Sequence, residues 1–151
     1  MTRLLLSPAL KEIRSRNAGI ASAYRALAKR LPPGPVCKLA SSLAEQRLDL
    51  GKTLAEVSDD HSLAEVEVEF DFDPVGLDGE AAVIGAAVDP AGFLKKVTEA
   101  EEADHELLAA LAGALLPASL DFAERLATEA AAARKRAMWA QNHLDLLGMG
   151  S

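Results

Sequence analysis

AYRALAKRLPPGPVCKLASSLA, residues 23–44, holds the end of one helix, its stop and the start of the next. Tyr24, Leu27 and Leu31 continue a stripe begun by Leu10, Ile13, Asn17 and Ile20 at three- and four-residue intervals. That spacing sets one largely apolar face on a helix. No helix continues through LPPGP (31–35), because proline lacks an amide proton and its ring collides with the preceding turn. Downstream, Val36, Leu39, Leu43, Leu50, Leu54 and Val57 form a second stripe. Two stripes around a proline turn predict a helical hairpin over about 7–57. Ser7-Pro8 reads as its cap and first-turn proline.

The hairpin recurs. At one constant offset Leu10 meets Leu94, Ile13 meets Val97, Asn17 meets Glu101, Tyr24 meets Leu108 and Leu27 meets Leu111. One residue out of that register, Leu39 meets Phe122 and Leu43-Ala44 meets Leu126-Ala127. The second hairpin, about 91–147, starts at the cap-and-proline pair Asp89-Pro90, turns at Pro117 and stops at Gly148. Its last helix carries Phe122, Leu126, Ala130, Ala133, Ala137, Ala140 and Leu144 on one stripe. Self-similarity at a fixed offset is an internal repeat.

A crossover of about 58–90 joins the hairpins. Within it EVEVEFDFDP (65–74) alternates acidic and apolar residues, the mark of an extended segment with one wet face. Val66, Val68, Phe70 and Phe72 are expected to point inward, Pro74 closes the run, and nothing nearby offers a pairing strand. The expected fold is all-α: two repeated helical hairpins joined by a long, partly extended acidic crossover, in a single domain.

Composition agrees. Half of the residues are hydrophobic, many of them alanine, and aromatics make up only 4%, which suits closely packed helices better than sheets. The run Leu107–Leu120 is uncharged but too short, and too broken by Pro117, to span a bilayer. MTRLLLSPALKEIRSR (1–16) has no signal-like cleavage site, and Cys37 is alone, so a reduced cytoplasmic setting is expected. Net charge is −7, divided as +6 over 1–57, −10 over 58–92 and −3 over 93–151. Basic and acidic segments in one chain suggest internal neutralisation. The acidic total and the lack of aromatics among the basic residues argue against nucleic acid.

Tyr24-x-x-Leu27-Ala28, a turn, then Leu39-x-x-x-Leu43-Ala44 resembles one hairpin of the rubrerythrin-like branch of ferritin-like proteins. Leu108-x-x-Leu111-Ala112 with Phe122-x-x-x-Leu126-Ala127 resembles the other. The resemblance implies a ferritin-like four-helix bundle with a di-iron centre. Its ligands would be a Glu seven residues before each Tyr-like position, and a Glu-x-x-His three residues after each second-helix Leu-Ala pair. Those positions hold Asn17 and Glu101, then Arg47 with Leu50, and Ala130 with Ala133. One ligand of six remains, so the resemblance implies a lost iron site, with a Glu101–Arg47 ion pair in its place and Asn17 or His105 adding hydrogen bonds.

The leading expectation is a non-catalytic structural or protein-interaction module with no cofactor. A second is an iron-dependent oxidoreductase with a rearranged site at Glu101, Glu102 and His105, with Glu45 as a further candidate. Glu102-x-x-His105 has a ligand-like spacing, but on the third helix rather than the second or fourth. A third is a carrier of a small anion bounded by Asn17, Arg47, Glu101 and His105. Glu99, Glu102, Asp104 and Glu106 read as a solvated acidic face. Arg134, Lys135 and Arg136 read as a basic cluster favoured by a helix C-terminus. The alanine seam of the last helix serves either the core or a homodimer, and the acidic crossover is a candidate docking strand for a protein partner. No nucleophile–base constellation or phosphate loop stands out.

Overall fold

The first strand follows from a pairing that local sequence does not announce. In a computed structural model, which describes residues 2–71, 80–87 and 89–149, β1 (Thr2–Leu5) leads directly into α1 (Leu6–Arg30). There follow α2 (Pro35–Ser58), a 3-10 turn (His61–Leu63), β2 (Glu67–Phe70), a short α3 (Glu80–Gly85), α4 (Pro90–Leu115) and α5 (Leu120–Met149). Apart from turns and short loops, the described residues are helical except for this two-stranded antiparallel sheet. No described helix is long and apolar enough to cross a membrane.

The alternating acidic segment therefore has a partner: Leu4 stands opposite Val68 and Arg3 opposite Glu69. Val68 and Phe70 are buried, while Glu67 and Glu69 face solvent, where Arg3 lies 3.5 and 3.7 Å from their carboxylates. The pairing also corrects the expected helix start. Leu5, not Ser7, occupies the cap position, and no side chain caps the helix. Instead Leu6 N–H donates to Val66 O at 2.7 Å, so the crossover backbone satisfies a donor that a helix start leaves open. Phe72 and Pro74 lie outside the described residues. Beyond them the crossover is not only extended, since it forms α3, which packs on α1 where Gly19 leaves room for Ala81.

The remaining ends follow their sequence signals. Gly34, at φ 155°, makes the sharp turn into α2, with Pro35 in its first turn. Asp89 caps α4 by accepting from Gly92 N–H at 2.6 Å, and Ser119 Oγ accepts from Phe122 N–H at the start of α5.

Contacts along the helices set their directions. Arg14 reaches Ser58 and Cys37 reaches Ala28, so α1 and α2 run antiparallel. Glu101 meets Arg136 and His105 meets Ala130, so α4 and α5 do too. The buried apolar side chains form two clusters. One joins the start of α1, the end of α2 and the end of α4 with Val68, Phe70 and the start of α5. The other gathers the end of α1, the start of α2 and the start of α4 with Ile84 and Ala140. Ala130 and Ala133 belong to the first cluster and Ala140 to the second, and Ala137 is buried as well, so the alanine seam packs inward.

Candidate functional site

Between the two apolar clusters lies a buried layer of charge. Each of the four long helices contributes to it from a position on its inward stripe. From α1 come Arg16, Asn17 and Tyr24, from α2 Arg47, from α4 Glu101 and Asp104, and from α5 Arg136. None of the seven is more than 5% exposed.

Glu101 is the centre. Its Oε1 accepts from Tyr24 OH at 2.9 Å and from Arg47 Nε at 3.2 Å, and its Oε2 accepts from Arg136 Nε at 2.9 Å. Asp104 accepts from Arg16 Nε at 2.9 Å and from Arg47 Nη1. Arg16 Nη2 also donates to Ala100 O at 3.0 Å, tying the middle of α1 to α4. Asn17 and Arg47 bond reciprocally: Asn17 Nδ2 donates to the Arg47 carbonyl at 2.9 Å, and Arg47 Nη1 donates to Asn17 Oδ1 at 3.1 Å. Arg47 also lies 5.7 Å from the centre of the Tyr24 ring, which packs perpendicular to the Phe93 ring.

Charges this deep persist only when paired and hydrogen-bonded. Burial disfavours the Arg47 cation, yet Asp104 and then Glu101 outweigh it and hold the guanidinium above its ordinary pKa. Burial, reinforced by the Glu101 charge, pushes the Tyr24 phenol well above its ordinary value of 10.0. Satisfaction is incomplete. Arg47 Nη2 is 3.0 Å from Glu101 Oε1 without hydrogen-bond alignment, and Arg136 Nη2 has no acceptor among the described residues.

Asn17, Arg47 and Glu101 therefore meet, and Asn17 supplies the extra hydrogen bonds to Arg47. His105 does not join them. Its Nδ1 lies 2.8 Å from the Ala130 carbonyl, which makes that nitrogen the donor, and the ring borders a separate cavity of about 360 Å³ with Glu102, Glu106 and Arg134. Glu102 and Glu45 are exposed. Two readings of charge are corrected. Asp104 is not part of a solvated acidic face, and Arg136 is not part of a surface cluster; both are buried in the layer. Arg16, Asp104, Arg136 and the Tyr24 hydroxyl are the members that the sequence reading missed. A signal was present. Arg16 follows Ile13 by three and precedes Ile20 by four, and Arg136 stands likewise between Ala133 and Ala140.

Iron does not fit this layer. A di-iron centre needs several anionic or imidazole donors around its cations. Here guanidinium groups hold the carboxylates, and Leu50, Ala130 and Ala133 offer no donor atoms. Among the described residues no three His, Cys, Asp or Glu side chains converge as a metal would require. Compared with protein-family models, with curated proteins and with solved structures, the chain matches none.

Proposed function

We propose that this chain is a ferritin-like bundle of the rubrerythrin-like kind whose metal centre has been replaced by internal ion pairs, and that it works as a non-catalytic binding module. The observation that carries the reading is Glu101 held by Arg47 and Arg136 at the level where the resemblance puts a di-iron centre. Further support comes from the six positions onto which the family's ligands map. Asn17, Arg47, Leu50, Glu101, Ala130 and Ala133 are all buried, as a shared ancestral site requires. A long connection between two antiparallel helix pairs is also the ferritin-like topology.

The decisive measurement is metal content after purification without chelator, followed by a challenge with ferrous iron in air. The expected result is sub-stoichiometric metal, no ferroxidase turnover, and a melting temperature unmoved by chelator. Two metals per chain with an oxidised-iron absorbance would overturn the proposal.

A further inference from the structure

Between the outer sides of α1 and α2 runs a groove of about 960 Å³, within reach of small-molecule sites in size. It is wide because the facing positions are small: Ala18 and Ala21 on α1, Gly51 and Ala55 on α2. Asn17, bonded to the Arg47 carbonyl, closes the floor, and a Cβ on Gly51 would stand 3.4 Å from its amide nitrogen. α3 lies elsewhere on α1, against Gly19 and Arg30. Among the described residues nothing covers the groove.

Its charge is one-sided. Lys11, Arg14 and Arg25 line it from α1 and Lys52 from α2, and no carboxylate is among its lining residues. Lys52 is 3.9 Å from Asp49 in a solvated pair on the same helix. Like charges gathered along one cleft attract and concentrate an anion. At the end nearer Ser58 the chemistry is more specific. Arg14 Nη1 donates to Ser58 Oγ at 3.2 Å, which leaves the hydroxyl proton of Ser58 free to donate onward. Lys11 and Lys52 also line the groove, and Ser15 adds a second hydroxyl. Guanidinium, ammonium and hydroxyl donors around one opening are the chemistry that binds phosphate oxygens. Ala18, Ala21, Gly51 and the exposed Leu48 supply its less polar lining, with Arg25 farther along α1.

We infer that the α1–α2 groove binds a soluble organic phosphate. Lys11, Arg14 and Lys52 hold its phosphate, and a less polar body lies along Ala18, Ala21 and Gly51 toward Arg25. This deepens the binding-module reading by naming a ligand class; the groove meets the buried layer at Asn17 and Arg47, but the residues that hold the phosphate are not members of that layer.

The test is isothermal titration calorimetry of the full chain with ATP, pyrophosphate and inorganic phosphate. The expected result is one saturable site for ATP that weakens as salt rises, with inorganic phosphate binding more weakly for want of a body. The double variant Arg14→Ala/Lys52→Ala should lose more than about tenfold in ATP affinity at an unchanged melting temperature, since both side chains are exposed. Ala18→Leu, which fills the floor, should weaken ATP while sparing pyrophosphate. Absence of saturable binding by all three probes, equal ATP affinity in the double variant, or equal affinity for inorganic phosphate and ATP would each overturn the inference. A metal-free chain that ignores all three probes removes the groove alone. A metal-loaded chain that binds ATP removes only the metal-free reading.

Discussion

Tyr24 is the only tyrosine in the chain, and its hydroxyl donates to a buried carboxylate. In the unfolded chain a phenol ionises near pH 10. In the folded protein it holds its proton well above that value, because burial and the Glu101 charge both penalise the phenolate. The linkage has a definite sign. The native state binds the proton more tightly, so the contribution to stability is complete below pH 10 and is lost as pH rises toward the native value. Tyrosinate absorbance should therefore stay absent above pH 10 until helical circular dichroism collapses, and the two transitions should coincide. A phenol that titrates near 10 while the helices persist would contradict the buried hydrogen bond. At this scale the sequence was partly legible. Carrying the ligand positions of the resemblance over residue by residue brought Asn17, Arg47 and Glu101 together, and all three are buried. Arg16, Asp104 and Arg136 escaped because a lone charge on a helix is ordinarily solvated. Only their stripe positions said otherwise, and a stripe position does not reveal which partner lies across the core.

Among the elements, the long helices were readable from their stripes and from the stops at LPPGP and Pro117, all local features. β1 was not. TRLL is too short for a period to show, and its partner lies more than sixty residues away in sequence. β2 was legible from its alternation, although its pairing was not, and α3 is a single short helix with no long stripe. The sheet makes a prediction that separates its wet face from its dry one. Phe70→Ala removes a fully buried ring beneath the β1–β2 pair and should cost about 3–5 kcal/mol in urea unfolding. Arg3→Ala removes only exposed ion pairs and should leave the urea midpoint nearly unchanged. A larger loss for Arg3→Ala than for Phe70→Ala would mean that the strand is held by charge rather than by burial.

Across the whole molecule, one charged layer joins both helix pairs between two apolar clusters. Deleting a single member should be worse than deleting the Glu101 part of the layer together. Glu101→Ala takes from buried Arg136 its carboxylate and leaves Arg47 with Asp104 and Asn17 alone, and should cost about 3–5 kcal/mol. The triple variant Glu101→Leu/Arg47→Met/Arg136→Met removes both cations as well. It should unfold at a higher urea concentration than Glu101→Ala alone, although Asp104 then keeps only its Arg16 partner among the described residues. A triple variant weaker than the single one would show that the layer contributes more than mutual compensation. The layer has one more consequence. Bound ions fill a protein in proportion to their supply, so a population of molecules differs in what it carries and melts over a range. Counter-charges written into the polypeptide are delivered by translation in fixed ratio. Every copy receives the same guanidinium groups opposite Glu101 and Asp104, whatever minerals the surrounding medium provides.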